Sequence, residues 1–337
     1  MRIRGYRINF AAQFLKLLIL VLQILKLRRA DKRKIRRIKE KYCPRFRLDL
    51  RADYVKTFFR TALVTVLTTS IFLFCYLQDS GMTARLDGSP VSAFYYADKL
   101  FTPLTTTLIY SISTVLFPKF SQEYASTDQA TYRRYIWGVL RSTLAIILPM
   151  SMVLAAFGTP IVRVLFEGGN FDAASTAATG AIFTIYSLSM AGFCALDLLS
   201  KAYYTMEKTL TPLLVNAGIL VCNWALNRAL GPRWGGAGLA AATAVSITAG
   251  GVVMGALFLR KAGGIKTLPL VKSLLCTAAA GGALWAMTGQ VLSGLEGKAM
   301  LVVKCVGMGA AAAAAYVLLM LLVRQEDFSD LLKRYRG

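Results

Sequence analysis

A chain of 337 residues that is 56% hydrophobic and only 17% charged, with a mean hydropathy of +0.52, is too apolar for a soluble globule, in which about a quarter of residues are charged. Its net charge of +23 does not point to nucleic acid, because the basic residues stand in short connectors between apolar runs and not on a folded polar surface. The lack of histidine removes imidazole catalysis and histidine metal sites, and six scattered cysteines without a CxxC pair read as inert buried thiols, so no metal and no cofactor is expected.

Runs of about 20 apolar residues, each long enough to cross ~30 Å of hydrocarbon as a helix, recur along the whole chain. The first, residues 8–27, carries a polar stripe of Asn9, Gln13, Lys16 and Gln23. Such a stripe suits a helix lying in the membrane surface, and equally a spanning helix that turns it toward a protein cavity. Its length favours spanning; Arg2, Arg4 and Arg7, which would then lie outside, oppose it. Thirteen Lys and Arg follow between Lys26 and Arg51, the strongest topological mark in the chain, and they place this segment in the cytoplasm.

Eight further spans read as residues 54–77, 92–117, 137–157, 173–203, 212–230, 236–259, 268–292 and 300–323, so the fold class is an all-α polytopic membrane protein of about nine transmembrane helices. Strict alternation then puts 27 basic residues in the inner loops and the C-terminal tail against five in the outer loops (Arg85, Arg163, Arg228, Arg233 and Lys298), with a cytoplasmic C-terminus. Pro118, Thr211-Pro212 and Gly263-Gly264 punctuate the spans, Pro149 is expected to kink one, and residues 121–135 read as a polar connector.

Charges inside a membrane helix are expensive and mark candidate sites. In the span from residue 92, Ser92, Tyr95, Lys99, Thr102, Thr106 and Ser113 recur at helical spacing and should share one water-lined face. Asp98 lies about 100° around from Lys99 and is expected to pair elsewhere. The competing reading is that both charges snorkel to the interface. Tyr186, Ser189, Asp197 and Lys201 form a second polar face, in which the acid-first spacing of Asp197 and Lys201 predicts a local ion pair. Asn216, Asn223 and Asn227 share a third, better suited to joining helices than to holding substrate. Gly- and Ala-rich stretches after residue 250 read as packing faces. Neither a Walker loop nor a GxSxG elbow is present, so an embedded enzyme is not expected.

The series GSPVSAFYYADKLFTPL, STVLFPKFSQ, PIVRVLFEGGNFD, SKAYYTMEKTLTP and GGAGLAAATAV resembles the MurJ/MviN family of lipid II flippases, in the multidrug/oligosaccharidyl-lipid/polysaccharide exporter superfamily. That resemblance implies two six-helix lobes around a cavity, plus two C-terminal helices that form a lipid-tail groove. It divides this chain into the last helix of the first lobe (1–28), a basic linker (29–53), the second lobe (54–262), the two extra helices (263–324) and a cytoplasmic tail (325–337), leaving five first-lobe helices unaccounted for. The implied function is translocation of an undecaprenyl-diphosphate-linked muropeptide across the bacterial cytoplasmic membrane by alternating access, with membrane lipid and a first-lobe half as partners.

The implied substrate residues are Lys99, Asp98, Tyr95, Thr102 and Thr106, with Asp197, Lys201 and Asn223 secondary. Lys99 stands where the family usually has arginine, which keeps the charge and loses the bidentate fork. Asp197 stands where related sequences often have lysine, which puts a direct anion contact there in doubt. Another exporter of the superfamily, moving lipid-linked polysaccharide units or drugs, and a non-transporting truncated fragment or scaffold are the alternatives.

Overall fold

The computed structural model describes residues 53–86, 91–260, 268–291 and 298–322. The candidate helix at 8–27, the basic linker and the C-terminal tail lie outside the described residues. The chain divides at Phe58 and Phe59 into two units, and the helix packing belongs to the second, residues 59–337.

Hydrocarbon offers no partner for backbone N–H and C=O groups, so each apolar run closes its own ladder as a helix. In order these are α1 (Asp53–Thr83), α2 (Val91–Thr105), a π-helical turn (Thr106–Tyr110), α3 (Ser111–Ser126), α4 (Gln129–Ala156), α5 (Gly158–Phe166), α6 (Ala173–Thr205), α7 (Leu210–Arg260), α8 (Leu268–Val291) and α9 (Lys298–Leu322). Among the described residues seven helical stretches are long and apolar enough to cross a membrane. One of them, α7, is 51 residues long and breaks at Gly235 (φ 59°, ψ −138°). That left-handed conformation suits glycine and separates two arms, each long enough to span, which raises the crossings to eight.

Three boundaries differ from the sequence expectation. Helix α1 runs past residue 77 to Thr83 and takes Asp79 with it. The span from residue 91 continues through the π-helical turn and α3 to Ser126 and α4 begins at Gln129, so all of the expected polar connector except residues 127 and 128 is helix. The short α5 was not foreseen; its end leads into a turn in which Gly168 and Phe171 exchange backbone hydrogen bonds of 3.1 and 3.0 Å. Asp128 then caps α4 by accepting from the N–H groups of Ala130 and Thr131, and Asp172 caps α6 by accepting from that of Ser175 at 2.8 Å.

Helix α6 is the hub, packing against α2, α3, α4, α5 and α7. Its backbone comes close to that of α7: a Cβ added to Gly251 would lie 2.6 Å from the Gly192 carbonyl oxygen, and one added to Gly192 would lie 2.6 Å from Thr248 Cα. Only glycine admits that approach, and close backbone contact is what holds membrane helices together. Helix α8 lies on α4, and α9 is tied to α4 by Tyr316 Oη, which donates to the Ala145 carbonyl at 2.8 Å.

Gly251→Ala should cost about 1–3 kcal/mol by overpacking and lower the melting temperature in detergent. Gly282→Ala, with nothing within 4 Å of the added carbon, should leave it unchanged. The Ser175 N–H bond holds the Asp172 carboxyl below the usual carboxylate range. Its contribution is therefore present at neutral pH and lost as pH falls through that lowered value. The protection of the Ser175 amide, its exchange taken relative to the intrinsic rate at the same pH, should fall on acidification in the native chain, and Asp172→Asn should flatten the dependence.

Candidate functional site

Two largely apolar cavities with polar side chains in their walls lie along α1 and meet at Phe72, which lines both. One, of about 550 Å³, is enclosed by α1, the π-helical turn with α3, α6 and α7. The other, of about 400 Å³, is enclosed by α1, α2, α6 and both arms of α7. Phe72 stacks edge-on against Phe193 of α6, with ring centroids 5.8 Å apart.

In the larger cavity Lys201 and Asp197 form the ion pair expected from their spacing, with Nζ 3.0 Å from Oδ2. The ammonium also donates to Ser113 Oγ on α3 and sits 5.4 Å from the Tyr110 ring centre. Asn216 lines the same space, its side-chain carbonyl buried and without a partner among the described residues. Lys201 is thus neutralised in place. The cavity offers hydrogen-bonding groups but no net cation.

The smaller cavity is organised by a residue that sequence reasoning missed. Asp79 is 2% exposed; its carboxylate accepts from Asn227 Nδ2 at 2.6 Å and from the Thr243 hydroxyl, so it joins α1 to both arms of α7. Asn223 completes the network, donating to Thr243 Oγ1 at 2.8 Å and accepting from Gln78 Nε2 and Asn227 Nδ2, each at 3.1 Å. The asparagine stripe does join helices here. Its presence was the available signal for Asp79, because buried amides need a partner on another helix. The apolar run of α1 ends before residue 79, which concealed the acid. Among the described residues no group of three or more His, Cys, Asp or Glu could hold a metal ion. The carboxylate of Asp79 and the hydroxyl of Thr243 are hard donors, while Asn227 faces the acid through its amide nitrogen.

Asp98 and Thr102 line the smaller cavity, and the Thr102 hydroxyl donates to Asp98 Oδ1 at 2.8 Å; Asp98 thus finds its partner on its own helix. Lys99 is exposed and lines neither cavity, and its Nζ lies 5.1 Å from the centre of the half-exposed Tyr95 ring. Thr106 turns back onto the carbonyls of Thr102 and Pro103. Ser113 departs from the expected shared face. It is fully buried against α6, because the extra residue in the π-helical turn rotates α3 by about 100° relative to α2.

The family model described as "Lipid II flippase MurJ" matches residues 5–306. The chain belongs to this MurJ family. It is 27% identical over 191 residues to the lipid II flippase MurJ of Burkholderia cenocepacia, covering 56% of this chain and 37% of that protein. It is 26% identical over 286 residues to the probable lipid II flippase MurJ of Vibrio cholerae, covering 81% and 53%. A solved structure titled "Lipid II flippase MurJ, inward closed conformation" superposes with a TM-score of 0.64 at 19% identity, over 85% of this chain and 57% of that one. The chain therefore spans about half the length of these MurJ relatives. The superposition supports the all-α, multi-pass MurJ fold.

Asp79→Ala should cost about 1–3 kcal/mol for each buried donor it strands, namely Asn227 and Thr243. Asp79→Asn, which keeps one acceptor, should cost less. Thermal unfolding of the purified chain in detergent measures both.

Proposed function

We propose that this chain supplies one wall of a transporter that moves a lipid-linked peptidoglycan precursor across the bacterial cytoplasmic membrane by alternating access. Support comes from family membership together with two open cavities, about 550 and 400 Å³, that carry polar side chains between helices long and apolar enough to span a membrane. In this reading α1 to α7 are the second lobe, α8 and α9 guide the polyprenyl tail, and a first lobe faces the cavities. The basic connectors orient the C-terminus to the cytoplasm.

The headgroup of the undecaprenyl-diphosphate muropeptide meets Lys99 first. Its ammonium is exposed, rests on Tyr95, and has no carboxylate partner among the described residues, so it is free to take a phosphate. Thr102 and Thr106 stand on the same helix one and two turns further on, and Asp98 fixes Thr102. Asp197, Lys201 and Asn223 line the deeper space, where hydroxyls and amides suit sugar and peptide groups. The Asp79 cluster is where we place a coupling proton or cation.

Lys99→Ala should slow precursor flipping about tenfold or more, the loss of one charge-assisted hydrogen bond, in a strain dependent on this gene. Lys99→Arg should retain or improve it. Normal growth and normal flipping in Lys99→Ala would remove Lys99 from the site. One observation favours a second reading, export of a cationic amphiphile: the cavity linings hold Asp79, Asp98 and Asp197 against the single Lys201. Accumulation of the lipid-linked precursor on depletion supports the first reading; an unchanged precursor pool with altered drug resistance supports the second.

A further inference from the structure

The helix that carries Asp98, Lys99 and Thr102 contains a flaw that the transport reading leaves unused. Between Thr106 and Tyr110 the ladder widens into a π-helical turn. Pro103 cannot donate to the carbonyl one turn back, and threonine hydroxyls serve the neighbouring carbonyls: Thr105 donates to Phe101 and Thr102 at 2.9 and 3.0 Å, Thr106 to Thr102 and Pro103 at 2.8 and 3.2 Å. Wide turns of this kind hold one residue more than an α-turn needs and gather at functional positions.

The two halves are held unequally. On the α2 side Phe94 and Ala97 are buried, and Phe101 stacks on Tyr186 with centroids 5.3 Å apart. On the α3 side only Ser113 and Phe120 are buried, and Val115 is 67% exposed. The polar fastening of α3 near the turn is Lys201, through Ser113 Oγ and the Tyr110 ring, and it acts beside the buried Ile109 and the contact of Tyr110 with Phe193, ring centroids 5.8 Å apart. If the turn closed to α with α2 fixed, everything after it would rotate by about 100°. Ile112 would then stand where Ser113 stands, Ile109 would replace Tyr110, and Ser113 would replace Thr114 in the cavity wall. The ammonium would keep Asp197 and lose its other contacts.

We propose that Thr106–Tyr110 is a swivel and that Lys201 is its latch, a positioning residue that holds α3 in the register placing Tyr110 and Thr114 on the cavity. Exchange of that wall for Ile109 and Ser113 is a conformational step within the transport cycle. Its transport arm rests on the proposed function; its structural arm does not.

Amide exchange of the full chain in lipid nanodiscs tests the structural arm. Lys201→Met should raise exchange in residues 104–116 about tenfold while leaving 92–100 unchanged, and Lys201→Arg should restore protection. Deleting the exposed Thr107 turns π into α with both flanks in place, and should protect the same segment. Equal exchange in the native, Lys201→Met and Thr107-deleted chains overturns the proposal, as does a rise spread evenly over all helices with a lowered melting temperature. In a flipping assay the Thr107 deletion should fold and lose translocation. Translocation at the native rate would sink the swivel. If the native chain does not sustain precursor flipping in cells that depend on its gene, where a first-lobe partner is available, the transport reading fails and the exchange result still decides the latch.

Discussion

The bundle depends on the contact between α6 and α7, where the backbones at Gly192 and Gly251 meet with no room for a side chain. Lipid tails are as apolar as leucine, so hydrophobicity does not drive one membrane helix onto another; close backbone packing and buried hydrogen bonds do. With α7 seated on it, α6 becomes the surface on which α2, α3, α4 and α5 assemble. The leucines, valines and phenylalanines left outside, such as Leu214, Val252 and Leu275, face lipid at no cost.

Polar glue and candidate site are the same atoms. Asp79, Asn223, Asn227 and Thr243 join α1 to both arms of α7, and they also border the smaller cavity. Lys201 joins α6 to α3 and borders the larger one. A bundle held by such groups keeps its shape only while they are satisfied by one another. Under the proposed function, a proton, cation or headgroup that competed for them would change the packing directly, and coupling would take that physical form.

The charge pattern sharpens this. The formal charge of +23 suggests an intensely cationic protein, yet the two cavities contain one ammonium, and it is already paired. Most of the positive charge stands in connectors between apolar runs, while Lys99 lies outside the two cavities against an aromatic ring.

Much of the fold could be read from the chain because it is a local matter. Length and apolarity define membrane helices, the four-residue spacing of Asp197 and Lys201 predicts their pairing, and the asparagine stripe predicts a helix junction. Composition likewise excluded a soluble fold, and the five motifs pointed to the family. Other features depend on what lies across the bundle. Asp79 lies beyond the expected end of its span at residue 77, and only the packing of α7 brings Asn227 and Thr243 to it. Ser113 looked like a neighbour of Lys99 until one extra residue in a π-helical turn moved it about 100° onto α6. Periodicity determines which residues share a face. Only the tertiary structure decides what that face meets, because partners come from distant helices and a single change in ladder register reassigns every side chain beyond it.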